Sequence, residues 1–400
     1  MKKVVVIGGG ASGVVAAINA SINNDVTLLE GNDKILKKLL LTGNGKCNYW
    51  NEFIDETKYQ TDDIDKLNNI LKYKEDTLDF LYNIGLYPKI KDGYYYPYSQ
   101  SSNSVREIFI KSLEKSNVRI ITNFKVKDIN YNNGFIIKSD NDVIRCDILI
   151  IATGSKAYPK TGSDGSGYDL IKKFNHKIND VTTALVPLKT DDKFLKECVG
   201  IRTNSLVKLK INNEFIKQEL GELQITDYGV SGICIFNLSG IASKNLDKNV
   251  SLEIDFLPDI KNIYEFINDR SKLLDSNIEL VLESIFNYKL LFTFFKKSKI
   301  DKSLKWKDMS EEEKNTLCNV IKHYTINVIG TLDFDRSQTC TGGISLNEIN
   351  DDMSSIYNEN LFFTGEILDV NGDCGGYNLA FCFITGLIAG RSLNDTLKKH

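Results

Sequence analysis

The 400-residue chain predicts an α/β fold built on a parallel sheet and interrupted by an inserted second piece. Three observations carry that reading. An apolar, β-branched run at residues 2–8 (KKVVVIG) passes straight into a helical spacing. Two more runs of the same kind end at Gly154 and Glu366, and the chain between them turns to short alternating strands followed by polar helices.

The first run has the pattern of a parallel strand covered on both faces. Gly8, Gly10 and Gly13 follow within GGGASG (8–13) at the spacing G-x-G-x-x-G, and the helical pattern continues with the small residues Ala16, Ala17 and Ala20 inward. Each glycine has its own duty: the first makes the turn, the second lets a pyrophosphate approach the backbone, and the third packs helix on strand. Phosphates would then rest on the free N–H groups of the helix N-terminus. A second strand, DVTLLEG (25–31), ends in Glu30, 22 positions after Gly8. A carboxylate there accepts the hydroxyls of an adenine ribose and repels a 2′-phosphate. Strand, glycine turn, helix, strand and acid make a Rossmann-type nucleotide clamp, which at this stage suits FAD and NAD equally.

The next segments separate those two. Residues 36–51 place Gly43, Asn44, Gly45, Lys46, Cys47 and Asn48 in a polar loop directly beyond the ribose strand, able to reach along an extended dinucleotide toward its far ring. Residues 118–154 alternate short strands and tight turns, then end in a buried strand and Ala152-Thr153-Gly154. That order resembles FAD-binding domains of the glutathione reductase type, with Val126 where a backbone amide would meet adenine. Near the end, Gly365 and Glu366 resemble the second flavin motif, whose acidic end contacts the ribityl chain. Asp373, Gly375, Gly376, Tyr377 and Asn378 open the last helix, and its dipole would favour an electron-rich reduced flavin ring.

These stretches, with YYPYSQSSNSV (95–105), ATGSKAYPKTGSDGSGYDL (152–170), LVPL (185–188), GELQITDYGVSG (221–232) and TGGISLNEIN (341–350), resemble the BaiN-type family of NAD(P)/FAD-dependent oxidoreductases along most of the chain. The resemblance implies a Rossmann-like FAD-binding domain of glutathione reductase type interrupted by a β-barrel-like and small helical insert. It implies that FAD is held on its nucleotide side by Gly8, Gly10, Ala11, Ser12, Gly13 and Glu30, and from the loop by Lys38, Gly45, Lys46, Cys47 and Asn48. Val126, Thr153 and Gly154 would join from the returning strand, and Gly365, Glu366, Asp373, Gly376, Tyr377, Asn378 and Leu379 from the end of the chain. NADH or NADPH would supply hydride to an activated C=C bond of a small, apolar substrate. Two departures stand out: Cys340-Thr341 in place of Thr-Ala before the glycine pair, and Phe381 where a tryptophan is expected nearby.

The expected organisation is residues 1–184 and 336–400 for the flavin domain and 185–335 for the insert, which covers the flavin ring and leaves a substrate cleft. Residues 204–256 read as short strands and 260–330 as polar helices. With 50 basic against 53 acidic residues, no global field gathers nucleic acid or anionic lipid. Eight scattered cysteines show neither metal spacing nor a dithiol pair, and with no signal-peptide pattern they read as reduced thiols in a cytoplasmic protein. The apolar stretch at 379–390 falls short of the roughly 20 residues that cross a bilayer, so Gly386 and Gly390 read as close-packing positions in a buried helix.

No side chain is singled out as catalytic, because hydride transfer belongs to the flavin. Lys46 is a candidate cation beside the ring, Cys47 a candidate thiol partner, and Tyr377 and Tyr228 candidate proton donors. His176 reads as a histidine at a helix C-terminus, and Gly162, Gly165 and Gly167 as a loop capping a helix through Ser163 or Asp164 rather than a second phosphate site. A FAD-dependent tRNA-modifying protein and a non-catalytic flavin-binding redox module are the alternatives. Oligomeric state is left open.

Overall fold

The computed structural model describes residues 1–394 and divides into two compact units: Met1–Thr182 with the chain from Gln338 onward, and Thr183–Ser337. The first unit is built on β1 (Lys3–Ile7), α1 (Ala11–Ala20), β2 (Asp25–Leu29), β3 (Arg119–Ile121), β4 (Ile148–Ile151), β5 (Leu361–Phe363) and α2 (Tyr377–Ser392). Its sheet has the order β5-β4-β1-β2-β3, with every pair parallel. Val4, Val5, Val6 and Ile7 are all buried, as a strand covered on both faces requires. The chain leaves β1 for α1 and returns through β4, where the amide of Ala152 donates to the carbonyl of Ile7 at 2.8 Å.

Close helix packing holds the clamp in place. A Cβ on Gly386 would lie 2.4 Å from the Ser12 carbonyl oxygen, and one on Gly390 would lie 2.6 Å from that of Ala16. Only glycine admits α2 that close to α1. At 16 residues α2 is buried against protein, and among the described residues no helix is long and apolar enough to cross a membrane.

Residues 118–154 differ from the expected set of small antiparallel strands in one respect. Asp128–Tyr131, Phe135–Lys138 and Val143–Cys146 form that sheet, but β3 belongs to the edge of the parallel sheet, pairing Leu28 with Ile120.

The second unit is a closed barrel. Its strands run Leu188–Thr190, Gly229–Ser231, Glu214–Ile225, Arg202–Ile211, Val250–Asp255 and Tyr324–Thr331, and the last pairs with the first. Two expectations are corrected. Tyr324–Thr331 lies in the stretch expected to be helical, yet its residues alternate buried and exposed, the period of a strand with one face inward. Ile233–Lys244, within the stretch expected to be strands, is a helix buried over most of its surface. The helices Ile263–Leu274, Ile278–Glu283 and Tyr288–Ser298 all start on asparagine, with Asn262, Asn277 and Asn287 accepting from the amides of Glu265, Leu280 and Lys289 at 3.2, 3.0 and 3.0 Å. This unit has its own core, in which the Phe256 ring lies tilted against Phe294 at 5.3 Å and edge-on to Tyr324 at 5.6 Å.

Candidate cofactor site and family

The clamp sits at the carboxyl edge of the parallel sheet, the side on which open α/β sheets bind ligands. Gly8 takes φ +108°, and a Cβ there would lie 2.3 Å from the Ala152 carbonyl oxygen, so the returning strand β4 demands the first glycine. A Cβ on Gly13 would lie 2.0 Å from the Gly8 carbonyl oxygen, so the turn itself demands the third. Gly10 is different: a Cβ there meets nothing within 4 Å. It is the N-cap of α1, and no side chain caps that helix. The first-turn amides of Ala11, Ser12 and Gly13 are therefore offered beside open space.

Glu30 lies beside the same turn. One carboxylate oxygen accepts from the amide of Gly9 at 2.9 Å, the other from the amide and side chain of Asn32 at 2.8 and 2.9 Å. The oxygen that accepts from Gly9 retains a lone pair for a ribose hydroxyl. The chain at 123–124 bonds back to this region, Phe124 donating to Glu30 and Asn123 to Asn32. Val126, two residues on, is buried, and its amide has no hydrogen-bond partner among the described residues.

The two loops from opposite ends of the chain meet. Asn51 donates from its side chain to the Gly375 carbonyl at 2.9 Å, and a Cβ on Gly376 would lie 2.6 Å from the Trp50 carbonyl oxygen. Gly376 is the N-cap of α2 at φ +96°, again without a side-chain cap. The loop over 43–47 is held in an unusual conformation, with Gly43, Asn44, Gly45 and Cys47 all at positive φ. The Asn48 side chain is turned so that its nitrogen donates to the carbonyls of Tyr95 and Trp50 at 3.1 and 3.0 Å.

Lys38 and Glu366 form an ion pair at 2.5 Å, and Ser155 donates to the same carboxylate oxygen at 3.4 Å. Glu366 belongs to the turn after β5, where a Cβ on Gly365 would lie 2.4 Å from the Ser12 hydroxyl. The pair thus adjoins the first turn of α1. Among the described residues, the buried hydroxyls of Thr153, Thr341 and Thr364 in this unit have no partner; Thr153 lies two residues beyond the end of β4 and Thr364 directly follows β5. Two uncapped helix N-termini, an open cradle at Gly10 and these orphaned hydroxyls fit an elongated, phosphate-bearing ligand such as FAD.

Several expected roles change. Cys47 is fully buried and burial pushes its thiol up to about 12, so it is a neutral core group and no thiol partner for a ring. Lys46 is exposed and has no ion-pair partner among the described residues; the lysine tied into the site is Lys38. Tyr377 packs edge-on against Tyr59 at 6.0 Å, and burial pushes its phenol up to about 12. The Asn378 amide is spent on its own turn, accepting from the amide of Gly372 and donating to its carbonyl. Asp373 is buried, and its amide donates to the Lys58 carbonyl at 2.8 Å. Leu379 is half-buried in the first turn of α2, and Tyr228 lies on a turn of the barrel unit.

His176 does lie at a helix end, one residue beyond the C-cap Asn175 of the turn Lys172–Phe174, but what holds it there is side-chain contact. Its ring is buried, with Nε2 at 2.8 Å from the Ser355 hydroxyl and Nδ1 at 3.2 Å from the Glu348 carboxylate. Gly165 is the N-cap of a short helix, Ser166–Ile171, and Asp164 accepts from the amide of Ser166 at 3.0 Å. Sequence reasoning missed Ser155, Thr364 and Asn51. Ser155 sits one residue beyond the ATG return and Asn51 ends the NYWN run, so nearness to the motifs was the available signal.

The HI0933-like protein Rossmann domain family matches residues 2–392. The chain is 36% identical over 405 aligned residues to a 3-dehydro-bile acid delta(4,6)-reductase of Clostridium scindens, covering 98% of this chain and 99% of that protein. It is 23% identical to a ribosomal RNA dihydrouridine synthase of Haemophilus influenzae, covering 98% of each. Among solved structures, a 3-ketosteroid-delta4-(5alpha)-dehydrogenase from Rhodococcus jostii RHA1 shares the fold with a TM-score of 0.52 at 15% identity, over 98% of this chain and 97% of that one. From its glycine turn to its last helix the chain belongs to the HI0933-like Rossmann-domain family, as one of the BaiN-type flavoprotein oxidoreductases.

Proposed function

We propose that this protein passes hydride from NADH or NADPH through FAD to a C=C bond conjugated with a carbonyl, in a small, apolar, enone- or steroid-like substrate in the cytoplasm. The observation that supports it most is the cradle at Gly10 with uncapped α1 and α2 termini, together with full-length similarity to a reductase acting on a 3-dehydro-bile acid. FAD, when bound, supplies a two-electron carrier that accepts hydride at one ring position and delivers it from there.

In this reading the amides of Ala11, Ser12 and Gly13 bind the pyrophosphate, and Glu30 orients the ribose. Val126 meets adenine with its amide. Gly375 and Gly376, tied to Trp50 and Asn51, hold the start of α2 where its amides stabilise negative charge on the reduced ring. Tyr377 stays a neutral phenol through the ordinary pH range because burial raises its pKa.

A second reading has one observation in its favour, the similarity to ribosomal RNA dihydrouridine synthases. Uracil also carries a C=C bond conjugated with a carbonyl, so the flavin chemistry would be shared and only the substrate would change. The balance of 50 basic and 53 acidic residues favours the small molecule, since an RNA-binding surface draws on excess positive charge.

The test is anaerobic titration of purified, FAD-loaded protein. We expect the yellow colour to bleach with NADH or NADPH and return on adding a 3-keto-4-ene steroid. Failure to bleach with either donor removes the reductase reading. Return of colour with unmodified ribosomal RNA, and with no enone, moves the assignment to RNA.

A further inference from the structure

Lys38 and Glu366 were expected to meet the flavin separately, yet they are bound to each other. The Lys38 ammonium lies 2.5 Å from Glu366 Oε2, with the two side chains 23% and 18% exposed. From this geometry we propose that Lys38 and Glu366, bound to each other beside the flavin, set its reduction potential through opposed contributions from their two charges. The inference rests on the flavin reading above.

Placement carries it. Lys38 opens a short helical turn that breaks at Thr42, and Glu366 lies in the turn that follows β5. That turn is pressed against α1: the Ser12 hydroxyl donates to the Thr364 carbonyl at 3.3 Å, and glycine is needed at 365 to clear it. The pair therefore borders the amides that offer the nucleotide cradle. Ser155 donates to the carboxylate oxygen that Lys38 holds, which fixes the carboxylate from a second side. Cys340 and Cys382 lie within electrostatic reach of both charges, and burial pushes both thiols up and keeps them protonated. Charges in such a partly dehydrated setting act on a neighbour far more strongly than charges in water.

The sign of each contribution follows. A reduced flavin carries more negative charge than an oxidised one, so the ammonium favours the reduced form and the carboxylate disfavours it. A pair that only tied two loops together would change stability and FAD affinity on loss of either partner, with no reason for potentials to move in opposite directions.

The experiment measures the midpoint potential of FAD-loaded wild type, Lys38→Met, Glu366→Gln and the double variant by equilibration with reference dyes, alongside thermal unfolding of each. Lys38→Gln and Glu366→Met stand in for any variant that does not fold. We expect Glu366→Gln to raise the ratio of reduced to oxidised flavin at a fixed potential by about tenfold and Lys38→Met to lower it by about tenfold, each about 30 mV for a two-electron couple. The double variant should fall between them. Shifts of the same sign, or none beyond about threefold in that ratio, would overturn the inference and leave the flavin reading standing. Wild-type protein that takes up no FAD would overturn both.

Discussion

At GGGASG a Cβ on Gly10 meets nothing within 4 Å, whereas in TGSDGSGYDL a Cβ on Gly167 would lie 1.9 Å from the Thr153 hydroxyl oxygen, one on Gly162 2.3 Å from Asn32 Nδ2, and one on Gly165 2.6 Å from Lys156 Cγ. Both are glycine-rich turns that open a helix in the same unit. In the second, protein side chains occupy the space the glycines leave, and Asp164 already receives an amide at the helix start. In the first, the space at Gly10 and the first-turn amides are left over. Glycine spacing alone does not mark a phosphate site; what fills the missing side chain's place does.

The sharpest way to break this contrast is Gly167→Ala. Overpacking against Thr153 and its rigid neighbours should cost about 3 kcal/mol, since Thr153 is a short, branched side chain that cannot swing clear. Urea unfolding of the apoprotein measures it. Adding Thr153→Ala should recover more than half of the loss, because the colliding atoms are then gone. If Gly167→Ala is stable but loses FAD, the second turn is a ligand cradle too and the contrast fails.

Gly10→Ala tests the other side. Alanine at this N-cap should lower apoprotein stability by about 1 kcal/mol or less, as the new methyl meets no protein atom. Its effect should fall on the ligand: FAD affinity lowered at least tenfold, about 1.4 kcal/mol, in a fluorescence titration. Unchanged affinity would mean that the cradle at Gly10 is not where the pyrophosphate rests.

Much of this was legible in the sequence. The strand at 3–7, the glycine turn and Glu30 are local in the chain, and the period of the pattern reports burial directly. Gly386 and Gly390 could be read as packing positions because a buried helix has few other uses for them. The strand at Tyr324–Thr331 was not legible, because its eight residues follow a long helical stretch and the partners that define it, at 188–190 and 250–255, are distant in sequence. The Lys38–Glu366 pair is a contact across 328 positions, and no spacing encodes it. Burial of Cys47 was hidden for a related reason: a polar loop with four residues at positive φ turns its thiol inward, and composition alone argues for exposure.

The smallest expected effect concerns pH, and it sharpens the contrast between the two helices. The chain leaving Ser166–Ile171 arrives at His176, whose ring is buried against Ser355 and Glu348 and edge-on to Phe363 at 4.7 Å; α1 contains no ionisable side chain. Burial holds His176 below its ordinary range, with the Glu348 carboxylate pulling the other way. The folded state therefore binds this proton less readily than the unfolded chain. Stability from the neutral ring is full above the unfolded value of about 6.5 and is lost as pH falls below it. Hydrogen exchange compared at pH 7 and pH 5.5, each corrected for its intrinsic rate, should show residues 166–176 losing protection while 11–20 keep it. His176→Gln should flatten that acid response, since glutamine stays neutral at both values. Equal loss in the two segments, or an acid response unchanged in His176→Gln, would show that the filled turn is anchored by something other than this ring.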